Sequence, residues 1–238
     1  MSKDIVVKKG LDLRLIGAPS LEIEEAKFSK DYSVYPADFH GVYPKLIVKE
    51  NDSVKAGEAL FYDKNSERVK FVSPVSGKIK EIVRGERRKV LEIKIEPDKN
   101  ISYKKIEKLK SEEPTIIIDF LVENGLWPFI KQRPYDVIAN PNSNPKEIFI
   151  SGFDSSPLSA DYDFITKDNE KTISKAITIL SKLTNGSINI SLRKESDSFL
   201  RGLSDVVIHN VSGPHPSGNL STIINKVSPI SKGDVIWT

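Results

Sequence analysis

The chain has 238 residues, 36 of them basic and 33 acidic, for a formal net charge of +3. It has no cysteine, which excludes disulfides, thiolate zinc sites, cysteine nucleophiles and cysteine-held iron–sulfur clusters. A chain of this length buries roughly 70–75% of its unfolded surface and suits one or two domains without covalent staples, and so even a charge balance argues against a nucleic-acid partner.

No stretch approaches the ~20 apolar residues of a membrane span. The opening MSKDIVVKKG has no signal-peptide core. His40, His209 and His215 are too scattered to predict a metal site, so none is expected. The composition reads as a soluble protein that would be held at any membrane by something else.

Residues 1–98 read as short strands and turns. LIVKENDSVKAGEALFYD alternates apolar and polar residues around turns at Asn51-Asp52 and Lys55-Ala56-Gly57. VKFVSPVSGKIKEIV and RKVLEIKIEP keep the period of two, the latter with Val90, Leu91, Ile93 and Ile95 before Pro97. Gly57 suits a tight turn, as do Pro74 and Gly77 in SPVSG. The pattern predicts an all-β barrel-sandwich hybrid of the lipoyl or biotinyl type. Such a fold makes Lys64, in YDKNS, the candidate carrier lysine. The charged NSERVK between Lys64 and Ser73 reads as a stretched hairpin tip, and an exposed, unmodified lysine is the plainer alternative. RGERRKV, from Arg84, reads as a basic hairpin tip. It is either a solvated turn or a docking patch for anionic lipid or a partner.

Residues 99–114 are charged and polar, a connector with part of it expected as a surface helix. From 115 to 238 strands and helices alternate. TIIIDFLVENG predicts a helix ending near Gly125. EIFISGF, SINISL and DVVIHNV predict buried strands. EKTISKAITILSKL places Ile173, Ala176, Ile177, Leu180 and Leu183 on one helical face, with Asp168 or Asn169 as cap. This is a Rossmann-like α/β layer with a mainly parallel sheet.

Three loops in this half invite a functional reading. GLWPFIKQRPY gathers Trp127, Phe129 and Tyr135 with Lys131 and Arg133, an aromatic slot for a flat ring such as a quinone headgroup, or else a loop stapled to the core. SGFDSSPLSADYDF puts Asp154, Asp161 and Asp163 beyond a strand end, where carboxylates bind a cation or ribose, or cap turns. GPHPSGNLSTI gives Gly213 and Gly218 the spacing of a phosphate loop. Asn219-Leu220 stand where Lys and Ser or Thr would be needed, and Pro214 and Pro216 remove two N–H donors. A rigid packing loop presenting His215 is the alternative to a ligand loop. No G-x-G-x-x-G fingerprint is present.

Taken together, KKGLDLRLIGAPS, VKFVSPVSGKI, RGERRKVLEIKIE, ENGLWPFIKQRPY, SGFDSSPLSADYDFI and SGPHPSGNLSTI resemble the A subunit of the sodium-translocating NADH:quinone reductases over essentially the whole chain. The chain is more distantly similar to the C subunit of Rnf-type complexes and the FMN-binding subunit of respiratory complex I. The resemblance implies a peripheral subunit on the cytoplasmic face of the bacterial inner membrane. Subunits B to F are its partners, and membrane contact is made through them. The complex passes electrons from NADH to ubiquinone and exports sodium, while this subunit holds no tightly bound cofactor and no complete active site. A structural and docking role follows, with ubiquinone contact expected at Trp127, Phe129, Arg133, Gly213, His215 and Gly218. Trp127, Pro128 and Phe129 stand where the complex I relative has flavin-cradling glycines, so FMN is not expected. The family continues into further domains, and the resemblance implies an N-terminal fragment. The competing readings are a carrier module, a scaffold without ligand and a flavin-binding redox subunit.

Overall fold

A computed structural model describes residues 2–13, 15–17 and 19–238; Arg14 and Ala18 of the KKGLDLRLIGAPS motif lie outside the described residues. The chain opens with strand β1 (Asp4–Val6). A β-rich stretch follows: β2 (Tyr32–Val34), β3 (Pro44–Leu46), β4 (Ser53–Val54), β5 (Ala59–Asp63), β6 (Ser66–Val72), β7 (Gly77–Arg84) and β8 (Val90–Pro97). Next come helix α1 (Pro114–Glu123) and the hairpin β9 (Lys131–Arg133) with β10 (Val137–Ile138). The remainder is β11 (Glu147–Ser151), α2 (Tyr162–Thr166), α3 (Glu170–Ser181), β12 (Ile188–Arg193), β13 (Val206–Ser212), α4 (Leu220–Val227) and β14 (Ile236–Trp237).

Packing divides the chain into two compact units, residues 25–142 and residues 1–24 with 143–238. In the first, β2-β8-β7-β4 form one antiparallel sheet and β3-β5-β6 another. The inward residues of the period-two pattern make the core: Leu60, Phe61, Val69, Phe71, Ile79, Ile93 and Ile95 are all buried. Phe61 and Phe71 stack at 4.5 Å, and Phe39 meets Phe71 edge-on. The predicted turns are present, with Asn51 at φ 73° and Gly57 at φ 88°. Two expectations need correction. The stretch after Lys64 is not an extended tip: Ser66–Val72 is strand β6, closed onto β5 through Asp63↔Ser66, and its charged residues lie on the solvent side. The connector carries no helix; its chain runs irregularly, with one bridge from Tyr103 to Ala56, because its apolar positions are too sparse to bury a helical face. Leu91 also departs from the core pattern. The register slips where Arg84 faces Val90 and Val83 faces Glu92, which leaves Leu91 as the extra residue of a bulge.

Helix α1 ends before Gly125, as TIIIDFLVENG predicts, and starts one residue earlier than that segment, with Pro114 in its first turn. It packs on β6 in the same unit, burying Ile117 and Val122, with Arg68 paired to Asp119.

In the second unit the strands run β1-β13-β12-β11-β14, and every pairing is parallel. This is the mainly parallel sheet expected from the alternation of strands and helices. Ile223 and Ile224 of α4 close one face over Ile5, Phe149, Val211 and Ile236. On α3, Ile177 is buried and Ile173 and Leu180 partly so, but Ala176 is exposed, at the margin of the predicted face. Asn169 precedes that helix without a side-chain capping bond.

Candidate functional site

In an open parallel sheet, ligands bind beyond the carboxyl ends of the strands. Here that edge is built by the loops after β11 and β13 and by the chain after β1. The residues of the loop after β13 lie at close quarters. A Cβ on Gly213 would stand 2.1 Å from Val7 O, and Gly213 has φ 112°. A Cβ on Gly218 would stand 2.4 Å from Ser155 N. Both glycines therefore serve backbone-to-backbone packing. The loop is also tied by hydrogen bonds: Leu11 N–H donates to His215 O at 3.0 Å, and His215 N–H donates to Asp12 Oδ1 at 2.8 Å. On its other side Gly218 N–H donates to Ser155 Oγ at 2.8 Å, and Ser155 Oγ lies 3.0 Å from His215 Nδ1.

Ser155 Oγ thus accepts from Gly218 N–H and shares a second hydrogen bond with His215 Nδ1, in which either group can be the donor. A serine beside a histidine is the start of a nucleophilic pair, but the base must in turn be oriented by a third group. The Asp12 carboxylate accepts from the His215 backbone N–H, and among the described residues no carboxylate is hydrogen-bonded to the His215 ring. The arrangement is a polar lock on the loop.

The carboxylates of SGFDSSPLSADYDF are likewise committed locally. Asp154 Oδ1 accepts from Ser156 N–H and from Ser156 Oγ, both at 2.8 Å. The Ser156 N–H, joined by the Ser156 hydroxyl and a nearby His215, holds the Asp154 carboxyl below the usual range against the opposing effect of burial. Asp161 caps α2 by accepting from Phe164 N–H at 3.1 Å, and Asp163 accepts from Ser196 Oγ at 2.8 Å. They do not converge on one point. Among the described residues no group of three or more His, Asp or Glu side chains could hold a metal ion. Arg193, at the end of β12, lies 5.2 Å over the Phe153 ring and presents an exposed cation at this edge.

The other candidates lie in the unit of residues 25–142. Trp127 is fully buried and donates from Nε1 to Ala139 O at 2.7 Å, which fixes the β10 side of the loop to the turn after α1. Phe129 and Tyr135 are 74% and 77% exposed, and Arg133 lies 3.4 Å from Asp136. Lys64 occupies the turn between β5 and β6; its side chain is exposed and its backbone N–H donates to Tyr43 O at 2.9 Å. The structure brings Gly213, His215 and Gly218 together in one loop. Trp127, Phe129 and Arg133 sit together in the other unit.

Comparison with known proteins adds identity to this geometry. A family model described as the NqrA N-terminal barrel-sandwich hybrid domain matches residues 5–98, and one described as the NqrA second alpha/beta domain matches residues 112–238. The chain belongs to the NqrA family. It is 36% identical over 236 residues to the A subunit of the Na(+)-translocating NADH-quinone reductase of Marinomonas sp. (strain MWYL1), covering 98% of this chain and 53% of that protein. The corresponding proteins of Yersinia pseudotuberculosis serotype O:1b and of Alcanivorax borkumensis are 34% and 33% identical at the same coverage. The chain thus spans about half the length of the curated NqrA relatives it matches. Among the described residues, no helix of this NqrA-family chain is long and apolar enough to cross a membrane.

Sequence reasoning singled out the loop at His215 but missed what holds it. Ser155 and Asp12 carry no local signal, since their partners lie 60 and 203 residues away.

Proposed function

We propose that this chain is the docking portion of the A subunit of a sodium-translocating NADH:quinone reductase, bound to subunits B to F on the cytoplasmic face of the inner membrane. The two NqrA family matches, in order along nearly the whole chain, carry this reading. Its support in the geometry is that the carboxyl-edge loop is occupied by its own chain: Gly218 against Ser155, His215 against Asp12. A rigid, self-satisfied edge suits contact with a partner better than turnover of a substrate. Electrons from NADH travel through redox groups of the other subunits, and this chain holds neither FMN nor another tightly bound cofactor.

Within the same reading, the exposed Phe129 in one unit and the loop at His215 in the other are two separate candidate points of quinone contact. Photo-crosslinking of the assembled complex with a photoreactive quinone analogue, followed by peptide mapping, tests this. Label on the Phe129 or His215 peptides supports quinone contact. Label confined to the other subunits removes it and leaves the docking role. Docking is tested separately by co-purification of the remaining subunits with this chain; their failure to co-purify would overturn it.

A further inference from the structure

The turn at Lys64 and the loop after β7 are twenty residues apart in sequence, yet the fold joins them. With β3 they line an open groove of about 370 Å³. Its charged lining is Lys45, Lys64, Arg84, Arg87, Arg88 and Lys89, with no carboxylate among the lining residues. None of these six takes part in an ion pair among the described residues. Glu86 in the same loop, Asp63, whose carboxylate accepts from Tyr43 N–H at 3.1 Å, and Glu67, which acts on Lys45, are the local acids, so the six cations keep a positive excess. The chain as a whole carries only +3, so this groove concentrates charge that the rest of the surface balances.

The groove's form is held as well as its charge. Arg84 Nη1 donates to Arg88 O at 3.3 Å across the loop. Arg87 and Arg88 have φ of 53° and 62°. That backbone region is uphill for any residue with a Cβ, and glycine or asparagine would relax there. Two arginines are kept instead. Tyr43, which lines the groove, is 64% exposed, giving an amphipathic ring beside the cations. Clustered lysine and arginine with an exposed aromatic is the chemistry of an anionic lipid interface, where the ring enters the headgroup layer and the cations meet phosphates. An acidic protein surface could also meet these cations and this ring, and binding to anionic vesicles separates the two.

We infer that this groove is a membrane-contact surface for anionic phospholipid headgroups, so that the chain touches the bilayer directly and not only through its partners. Each cation near such a surface contributes about fivefold in affinity. The test is co-sedimentation of the purified chain with vesicles of about 30 mol % phosphatidylglycerol in phosphatidylcholine, against phosphatidylcholine alone, at low ionic strength. Lys64→Gln with Arg88→Gln removes two groove cations; Lys171→Gln with Lys175→Gln removes two exposed cations of α3 as a control of equal charge. Binding to anionic vesicles only, weakened about 25-fold by the groove pair and clearly less by the control pair, supports the inference. Equal weakening by both pairs reduces the effect to net charge and overturns it. So does absence of binding to anionic vesicles; if the groove pair then impairs co-purification with the other subunits, the groove belongs to an acidic protein surface instead. Circular dichroism of each variant confirms that both remain folded.

Discussion

The backbone N–H of Gly218 donates to the hydroxyl of Ser155 at 2.8 Å, across 63 residues of sequence. The approach is possible only because no side chain stands between them. We predict that Gly218→Ala, whose Cβ would lie 2.4 Å from Ser155 N, costs about 1–3 kcal/mol, the usual range for overpacking. Ser155→Ala keeps the space and leaves the N–H without its partner, for about 1 kcal/mol. Urea midpoints of both variants measure this; an unchanged midpoint for Gly218→Ala would refute the close-packing account.

His209 is buried in the parallel sheet. Lys3 N–H donates to its Nδ1 at 3.2 Å, so Nε2–H is the donor to Asn189 Oδ1 at 2.9 Å, and the ring is neutral. Burial, reinforced by Lys3 and the N-terminal amine, pushes its pKa below the ordinary value. The unfolded chain therefore takes up the proton first as pH falls through about 6.5. The expected outcome is stability that is full above this pH and declines below it, by at most about 1.4 kcal/mol per pH unit until the folded pKa is reached. The depressed carboxyls of Asp154 and Asp234 act in a more acid window, near their unfolded values of about 4 and below. Thermal midpoints from about pH 7.5 to 5.5, compared with those of His209→Gln, decide it. A midpoint that rises on acidification contradicts the assignment.

Trp127 should behave as a structural residue of its unit. Trp127→Ala is predicted to cost about 3–5 kcal/mol through the cavity it leaves. Trp127→Phe keeps most of the volume but strands Ala139 O, at about 1–3 kcal/mol. Denaturation would show the order Ala worse than Phe. Equal and small losses would mean the indole is not anchored.

Lys64 stands at a two-residue turn, where a carrier lysine would also stand. Our reading predicts an unmodified side chain, retained for its charge. Intact-mass measurement on protein from its native host checks this directly; a biotinyl or lipoyl adduct mapping to Lys64 would restore the carrier interpretation.

Much of the local structure was legible because local chemistry decides it. The period of two in VKFVSPVSGKIKEIV gives β6 and β7, and TIIIDFLVENG gives α1 with its end before Gly125. The bland alternatives for the loops were legible too: Asp161 is a cap, and Trp127 is a core anchor. The NSERVK segment was misread because its exposed face is uniformly charged, which hides a strand whose inward residues, Val69 and Phe71, fall only in its second half.

The sequence by itself determined the two kinds of layer, an antiparallel β-rich half and a parallel α/β half, since hydrophobic period and turn residues act over a few positions. Only the tertiary structure decided which distant pieces meet. Strand β1 is three residues long and contains nothing to name its partner, yet Ile5 pairs with Val211 at the far end of the chain. Likewise Lys64 is an ordinary exposed lysine until β5, β6 and β7 set it beside Arg84 to Lys89. Such contacts are chosen by the burial of whole faces and by backbone pairing across the fold, information that no short window of residues holds.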